Sequence, residues 1–297
     1  MIELTAALEQ RASSPGGSDS AALFTIPYDV YWAVTGEDDA APVAPLAGAC
    51  LLIYLGAVLL DDVMDEETSA LYQDWPLDEV TLLGATLPVL AVRLLAAQPE
   101  PLSAPMAAAA LDALLEMSAG QDHDRESRNE WVRPASAEQI ARQKTGALVA
   151  LLALLPALCG GASAESLRSY QEYGRNLGTA FEVKTAIHDL VLGEARDLRT
   201  GVKSLPIALW WDSLESLERP AFEAALRRAR HDPTERRSLA DRIAATGAPA
   251  AASAVVSMLQ ALALSALAAA SPVGEAARHL EQFSRPTQPN SGTKGQK

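Results

Sequence analysis

Hydrophobic residues recur along most of this chain at a spacing near 3.6 residues, the repeat of an α-helix. Proline and glycine separate the repeating segments, as they do at helix boundaries. No segment alternates like a strand, and no linker divides the middle of the chain, so the pattern predicts one all-α domain over residues 21–283. The predicted helices lie at roughly 43–66, 78–97, 104–122, 136–159, 164–193, 204–214, 220–230, 234–246, 249–270 and 273–283.

The two ends of the chain lack this repeat. Residues 1–20 are polar and rich in small side chains, and residues 284–297 combine proline, glycine and charge. We expect a flexible N-terminus and a disordered C-terminal tail. Because no basic region followed by an apolar stretch begins the chain, we expect a cytoplasmic protein. Apolar stretches such as 148–159 are too short to span a bilayer, so we expect no stable membrane insertion.

Composition narrows the classes of partner. The formal charge of −14 argues against nucleic acid, whose phosphates need basic patches. Aromatic residues make up only 5% of the chain, which favours helix over sheet. Cys50 and Cys159 both have apolar neighbours and are predicted to be core thiols.

An acidic cluster follows one of the most apolar segments. Asp61, Asp62 and Asp65 come directly after the run 51–60, and two glutamates follow them. On a helix, Asp61 and Asp65 stand one turn apart, so their carboxylates can converge on a cation. Mg²⁺ prefers a few carboxylates, water and substrate phosphates. The cluster therefore predicts a magnesium site shared with a phosphorylated ligand; the alternative is a solvated acidic helix end.

Two later segments carry further candidate chemistry. Phe181, Thr185 and Asp189 share one helical stripe and would line a common surface. Lys144 precedes a buried helix, from which it could reach an internal anion. Taken singly, each signal is weak, since a lone lysine is usually exposed and a lone aspartate is usually a cap or ion-pair partner.

In their order and spacing these segments resemble the trans-isoprenyl diphosphate synthases and the terpene synthases that share their fold. The resemblance covers roughly residues 45–210 and implies an isoprenoid synthase fold, with about ten or more helices around a deep central pocket. It also implies a homodimer. The matching motifs are Asp61-Asp62-Val63-Met64-Asp65 (DDxxD), Gly120-Gln121 with Asp124, Lys144-Thr145, Gly178 to Val183 (GxAFQI), and Asp197 to Pro206 (DLxxGKxTLP).

The resemblance also implies roles for individual residues. Up to about three Mg²⁺ ions would bind with an allylic prenyl diphosphate at the metal residues Asp61, Asp62, Asp65 and Asp189. With Phe181, these aspartates form the predicted catalytic set, and Phe181, Trp75 and Tyr54 are candidate walls that stabilise a carbocation. The remaining predicted substrate-binding residues are Lys144, Thr145, Gly56, Ala57, Glu182, Thr185, Arg196, Arg199 and Lys203.

Departures from the family pattern guide the choice of reaction. The basic residues that hold isopentenyl diphosphate in chain-elongating members are missing: 26–44 contains no lysine or arginine, and Gln73-Asp74 replaces an arginine pair. Thr185 and Ala186 replace two aspartates of the second motif, and Val202 takes a lysine's place beside Lys203. We therefore expect a magnesium-dependent terpene synthase that ionises and cyclises one allylic diphosphate.

Alternatives remain open at this point. A chain-elongating prenyl diphosphate synthase would incorporate isopentenyl diphosphate, and a peptide prenyltransferase would transfer the prenyl group to a side chain. A non-catalytic partner subunit of a synthase is a third possibility. The small residues Gly56 and Ala57, one turn before Asp61, with Tyr54 further down, predict a pocket for chains of about C20 or longer. The other interpretation of Gly56 and Ala57 is close helix packing.

Overall fold

The computed structural model describes residues 23–65, 72 and 74–285, and every regular element in that part of the chain is helical. The short π-helical turn Arg142–Gly146 joins α5 to α6. The helices are α1 (Ile26–Thr35), α2 (Ala44–Met64), α3 (Leu77–Ala96), α4 (Ser103–Ser127), α5 (Pro134–Ala141), α6 (Ala147–Cys159), α7 (Ala164–Leu192), α8 (Arg196–Thr200), α9 (Leu205–Ser213), α10 (Arg219–His231), α11 (Pro233–Ala244), α12 (Ala248–Ala270) and α13 (Gly274–Phe283).

The ten predicted helical segments are confirmed, with boundaries that differ by a few residues. The exception in length is α4, which continues from the predicted end at 122 to Ser127. The predicted flexible ends lie almost entirely outside the described residues, apart from Ser284 and Arg285, which complete the turn after α13. The side chain of Ser284 is fully buried.

Two helices, α1 and α8, were not predicted. In α1 the signals are present but short: Pro27 occupies the first turn, and Gly36 ends the helix in the left-handed conformation with φ of 77°. Between them lie β-branched and aromatic residues of modest helix propensity. Burial of Ile26, Val30 and Tyr31 in the main core supplies the stabilisation that local propensity does not.

Helix α7, with 29 residues, runs through the middle of the bundle and packs against α6 and α12. Gly174 and Gly178 let its backbone approach α6 and the turn before it closely: a Cβ on Gly174 would lie 2.9 Å from Cα of Ala150, and one on Gly178 would lie 2.5 Å from the carbonyl oxygen of Thr145. Buried residues of α1, α2, α6 and α7 meet in one core that includes Ile53, Leu152 and Tyr173. The inner helices are thus fixed by apolar packing on which polar side chains can be precisely held.

Four helical spans reach the length and mean hydropathy of a membrane-crossing helix: Ala44–Met64, Leu77–Ala96, Pro134–Cys159 and Ala248–Ala270. The apolar stretch 148–159 belongs to one of these spans, Pro134–Cys159, whose 26 residues are long enough to cross a bilayer. That span is largely covered, with 72% of its apolar window buried. A cytoplasmic location and the absence of membrane insertion stay predictions.

Candidate active site

Lys144 lies where α4, α7 and the turn Arg142–Gly146 converge. The turn has π-helical hydrogen bonding, a distortion that is frequent at functional sites. Two glycines permit the close approach. A Cβ on Gly120 would lie 2.7 Å from Cβ of Gln143, and one on Gly146 would lie 2.7 Å from the hydroxyl of Thr179. Small residues at these positions therefore bring Lys144 between two helices.

The ammonium of Lys144 bridges two carboxylates. Nζ lies 2.7 Å from Oδ2 of Asp124 on α4 and 3.8 Å from Oδ1 of Asp61 on α2. Burial acts to lower the pKa of Lys144, but the charges of Asp124, Asp61 and Glu182 outweigh it, and the pKa is raised above its ordinary value. Lys144 is therefore firmly cationic and supplies positive charge beside the acidic motif.

Helix α4 also holds Asp61, the first residue of the predicted acidic motif. Nε2 of Gln121 donates a hydrogen bond of 2.5 Å to Oδ1 of Asp61. Gln121 and Asp124 lie almost one turn apart, so both face α2 and the π-helical turn. The motif segment Gly120 to Asp124, noted in the sequence, thus supports both Asp61 and Lys144.

Asp62 and Asp65 turn toward different partners. Asp62 is buried and accepts a hydrogen bond of 2.5 Å from the hydroxyl of Tyr72. Asp65 forms a close ion pair with the guanidinium of Arg128, which also donates to the carbonyl of Met64 at 3.3 Å. The three aspartates at the end of α2 therefore point in different directions, toward Lys144, Tyr72 and Arg128 respectively.

Sequence reasoning missed Arg128. Its only signal is its spacing: it is the C-cap residue of α4, one turn after Asp124, and we expected that helix to end at 122. The segment 121–128 is rich in alternating charges and has no apolar repeat, so it carries no periodic helix signal. Arg128 places a second, half-buried positive charge beside the motif, with 13% of its side chain exposed.

Two of the predicted substrate-binding residues, Thr145 and Glu182, are in direct contact. The hydroxyl of Thr145 donates a hydrogen bond of 2.5 Å to Oε2 of Glu182 on α7. Glu182 also contributes to the electrostatic field that raises the pKa of Lys144. These three predicted binding residues form one polar layer, whereas Thr185, one turn further along α7, is exposed.

Asp189, the surviving acid of the second motif, lies at the end of α7. Its Oδ2 accepts a hydrogen bond of 2.6 Å from the backbone N–H of Arg196 at the start of α8. Ala195 enters that helix with a positive φ of 54°. Asp189 thereby stabilises the turn into α8, on which Arg196 and Arg199 stand, exposed and half-buried respectively.

Asp197 is a half-buried acid close to this turn. Burial is the main cause that raises the pKa of its carboxyl to about 7, and the charges of Asp189 and Asp124 add to the increase. Carboxylates from the end of α7, from α8 and from α4 are therefore close enough to interact. Their mutual repulsion is the condition that a bound cation would relieve.

The predicted pocket residues divide into two groups. Tyr54 and Phe181 are half-buried and pack against the main core, and the ring of Tyr54 meets the ring of Phe24 edge-on at 5.4 Å. Ala57 is half-buried on the same side of α2 as Tyr54 and Asp61. Trp75, by contrast, is 41% exposed in the turn before α3.

Gly56 serves helix packing. A Cβ at this position would lie 2.6 Å from Cδ of Pro88 and 2.8 Å from the carbonyl oxygen of Gly84, both on α3. Likewise, a Cβ on Gly84 would lie 2.9 Å from Cγ of Leu60 on α2. Gly56 therefore points toward α3 and not toward the predicted pocket, which leaves Ala57 as the small residue on the Asp61 face.

Lys203 also departs from its predicted role in substrate binding. Its side chain is buried, and its ammonium donates to the backbone carbonyls of Ser127, Arg128 and Gly201, at 2.7 Å for Arg128 and 3.1 Å for Gly201. All three donors of the ammonium are therefore engaged by the protein backbone.

The acidic residues fit a magnesium site by their chemistry but do not form a ready-made cage. Carboxylate oxygens are the hard ligands that Mg²⁺ prefers. In the part of the chain that the structure describes, no three acidic, histidine or cysteine side chains converge as a metal-binding group. Instead Lys144 and Arg128 balance the charge of Asp61 and Asp65. Neither of the two surface hollows on α10 and α11 is lined by a predicted site residue.

Comparison with known proteins decides the family. The profile of the polyprenyl synthetase family matches residues 14–243, which is more than half of the chain. This chain belongs to the polyprenyl synthetase family. A geranylfarnesyl diphosphate synthase of Aeropyrum pernix is 30% identical over 192 residues, covering 57% of this chain and 59% of the relative. A geranylgeranyl diphosphate synthase of Methanosarcina mazei is 31% identical over 179 residues, covering 55% of each chain.

The chain thus spans less than two thirds of the length of these curated relatives. Among solved structures, the geranylgeranyl pyrophosphate synthetase of Pyrococcus horikoshii superposes with a TM-score of 0.76, at 19% identity, over 95% of this chain and 93% of the other. At this identity the likeness shows the fold alone. The predicted isoprenoid synthase fold and the predicted family are both confirmed.

The predicted cyclising terpene synthase is wrong. The family profile is that of the polyprenyl synthetases, and both curated relatives are named as prenyl diphosphate synthases. The prediction rested on the absence of basic residues before and after the first motif and on the aspartates lost from the second motif. The structure shows that positive charge reaches the motif from elsewhere in the chain, through Arg128 at the end of α4 and Lys144 in the π-helical turn. Local loss of arginines is therefore poor evidence for a change of reaction.

Proposed function

We propose that this protein is a prenyltransferase that lengthens an allylic prenyl diphosphate by adding isopentenyl diphosphate. The allylic carbon–oxygen bond breaks, a carbon–carbon bond forms to the isopentenyl double bond, and a proton is lost. The observation that carries this proposal is the pairing of Lys144 with the acidic motif at Asp61, in a chain of the polyprenyl synthetase family. The names of the two curated relatives support the same reaction.

Mg²⁺ is the proposed cofactor. Asp61, Asp65 and Asp189 would supply oxygen ligands, and the bound ions would neutralise charge that develops on the departing diphosphate. Lys144 stands beside Asp61 and keeps its positive charge, so it would hold a diphosphate oxygen from the protein side. Thr145 and Glu182 keep the turn that carries Lys144 in place through their hydrogen bond.

The positive charge that binds isopentenyl diphosphate must come from residues outside the segments around the first motif. Residues 12–92 contain no lysine or arginine, so the segments that precede and follow the first motif cannot supply it. Arg128 is half-buried beside the motif, where it pairs with Asp65, one turn after the Asp61 carboxylate that Lys144 faces. We therefore expect a weak affinity for isopentenyl diphosphate and a high KM for this substrate.

A long product is proposed for the same site. Ala57 is small and stands on the Asp61 face of α2, with Tyr54 nearly one turn further from the motif. A chain growing away from the diphosphate would therefore meet Ala57 before it reaches the ring of Tyr54. Together with the relatives' names, this arrangement favours products of about C20 or longer.

The assembly is proposed to be a homodimer. Neighbouring helices α3 and α4 carry large apolar side chains that the single chain leaves exposed, among them Leu82 at 69% and Leu115 at 70%. Leu111 is exposed one turn before Leu115 on the same face. Exposed apolar patches of this kind are typical of subunit interfaces, and a second copy would cover them symmetrically.

The test is a transfer assay with the pure protein and Mg²⁺. Geranyl, farnesyl and geranylgeranyl diphosphate are each supplied with labelled isopentenyl diphosphate, which is raised to millimolar concentrations because its KM is expected to be high. We expect label in a longer prenyl diphosphate, identified by chain length after phosphatase treatment. Absence of incorporation from every allylic substrate would overturn the proposal.

The matched control is Asp61→Asn. The amide keeps the shape of the half-exposed side chain but removes the negative charge that faces Lys144 and the metal. We expect turnover to be abolished while the thermal unfolding temperature stays close to that of the unmodified protein. Retained incorporation in Asp61→Asn would show that the label enters at another site or through a contaminant.

A further inference from the structure

Lys203 lies between the ends of two helices. Ser127 is the last residue of α4 and Arg128 its C-cap, and Gly201 is the C-cap of α8 with φ of 84°. The ammonium of Lys203 donates to the carbonyls of all three residues. Carbonyls at a helix C-terminus lack partners within the helix and carry partial negative charge. One ammonium thus caps two helices at once.

These two helix ends belong to opposite halves of the proposed site. Helix α4 brings Gln121 to Asp61 and Asp124 to Lys144, and its cap residue Arg128 pairs with Asp65. Helix α8 follows Asp189 and is fixed to it through the backbone of Arg196. A change in the position of Lys203 would therefore alter the distance between the elements of the two motifs.

The surroundings of Lys203 hold its ammonium in place and shield it from water. The side chain is 5% exposed, and the ring of Trp131 covers the ammonium with its centroid 5.3 Å from Nζ. Trp131 is stacked on Trp211 at a centroid distance of 3.6 Å and donates to Glu223 at 2.9 Å. The aromatic stack thus fixes the segment after Arg128, in which Trp131 stands.

We propose that Lys203 is a positioning residue that joins the ends of α4 and α8 and thereby sets the place of Arg128 at the acidic motif. It acts through the backbone and does not contact the substrate. The importance of this place for catalysis rests on the proposed prenyl transfer, whereas the anchoring of α4 to α8 can be measured without any activity.

The charge of Lys203 is adjustable near neutral pH. Burial lowers its pKa to about 8, and the positive charge of Arg230 adds to this effect, whereas Glu223 opposes it. Both Arg230 and Glu223 stand on α10. Arg230 also donates to the carbonyl of Thr200 at 2.8 Å, so it caps α8 but does not reach α4. It is therefore a suitable matched position for a control.

The first experiment measures hydrogen exchange in Lys203→Met, in Arg230→Met and in the unmodified protein. If Lys203 anchors α4, Lys203→Met speeds exchange of the amides at 127–133 by about tenfold, while Arg230→Met affects the end of α8 alone. Unchanged exchange at 127–133 in a folded Lys203→Met protein would overturn the anchoring, whatever the activity of the protein proves to be. Lys203→Arg, which keeps a cation, is expected to restore part of the protection.

The second experiment follows Lys203 itself by NMR of protein with labelled lysine Cε atoms. One signal, missing in Lys203→Met, is expected to titrate near pH 8 and to titrate at higher pH in Arg230→Met. A titration above about pH 10 in the unmodified protein would show that the ammonium is not enclosed as the structure has it. This measurement does not depend on folding of the Lys203→Met variant beyond its use for assignment.

The third experiment connects Lys203 to the reaction. We expect Lys203→Met to lower kcat and to raise the Mg²⁺ concentration for half-maximal rate, each by about tenfold, with the KM of the allylic diphosphate little changed. The alkaline limb of the pH profile should move upward in Arg230→Met. A selective rise in the KM of the allylic diphosphate would instead mean that Lys203 touches the substrate.

Discussion

Nζ of Lys144 lies 2.7 Å from Oδ2 of Asp124, a carboxylate on a different helix from the acidic motif. Asp124 is buried, and its carboxylate is the nearer of the two that flank the ammonium. The lysine is therefore oriented mainly by Asp124 on α4, and the same ammonium also forms a longer ion pair of 3.8 Å with Asp61. Binding of a diphosphate beside Lys144 should depend on this orientation of the lysine side chain.

Asp124→Asn tests the relationship directly. The amide preserves size but removes the charge that orients Lys144, so kcat/KM for the allylic diphosphate should fall by about 10- to 100-fold. Steady-state kinetics at saturating isopentenyl diphosphate measures the effect. The control is Asp122→Asn on the same helix, where the side chain is exposed and pairs with Arg125. Equal losses in the two variants would contradict the proposed role of Asp124.

The sequence was most informative where periodicity and motif spacing agreed. The run before Asp61 predicted α2 to within one or two residues of its observed ends. The motifs also singled out Lys144, Thr145 and Glu182, which the structure places close together, although their contact was not predicted. Helices of 20 or more residues repeat their apolar pattern often enough to be recognised. Short helices such as α1 and α8 have too few residues to show a repeat. Tertiary burial stabilises them, and a linear pattern does not reveal it.

The site partners were harder to predict, since a linear pattern does not specify which polar groups pair. Arg128 carries no motif signal, yet it lies against Asp65. Lys203 stands next to the lysine position of a known motif, yet it points to backbone carbonyls. In both cases the partner depends on the direction in which the packed backbone points the side chain. A shift of one residue along the chain changes that direction.

Asp197→Asn should stabilise the protein in neutral and alkaline solution. The folded pKa of Asp197, about 7, exceeds the ordinary value of 3.8, so the folded state binds this proton more tightly than the unfolded state. Stability contributed by the protonated form is present below pH 3.8 and is lost as pH rises toward 7. The uncharged amide avoids that loss, so the free energy of unfolding of Asp197→Asn should exceed that of the unmodified protein by up to ~4 kcal/mol.

Denaturant unfolding of Asp197→Asn and the unmodified protein should be compared at pH 4 and pH 8, with a chelator present to keep metal from binding the nearby acids. We expect a small difference at pH 4 and a larger one, favouring the variant, at pH 8. A variant that is less stable than the unmodified protein at pH 8 would show that the charged carboxylate of Asp197 stabilises the fold.

Leu115→Glu should weaken the proposed dimer. The side chain is 70% exposed in the single chain, so the substitution has little cost within the subunit but places a charge in an apolar interface. Light scattering after size exclusion should report a shift toward monomer at micromolar concentration. Leu217→Glu is the control, because Leu217 is 91% exposed and stands far along the chain, between α9 and α10. Dimers that persist in Leu115→Glu would place the interface elsewhere.

Gly56→Ala should destabilise the crossing of α2 and α3. The added Cβ would stand 2.6 Å from a side-chain atom of Pro88 and 2.8 Å from a backbone oxygen, and neither can move without shifting α3. We expect a loss of about 1–3 kcal/mol in the free energy of unfolding. Gly48→Ala, on the same helix with nothing within 4 Å of its Cβ, should be neutral or slightly stabilising.

Ala57→Phe should shorten the product. Ala57 stands one turn before Asp61, so a phenyl ring there would fill the path of a growing chain before the chain reaches Tyr54. Chain lengths of the hydrolysed products measure the effect, and the expected change is a shift from about C20 or longer toward C15. Because Gly56 faces α3, its substitution should alter stability and leave product length unchanged. If Ala57→Phe kept the product length of the unmodified protein, the growing chain would have to leave the motif along another face, and Tyr54 would not form the end of its path.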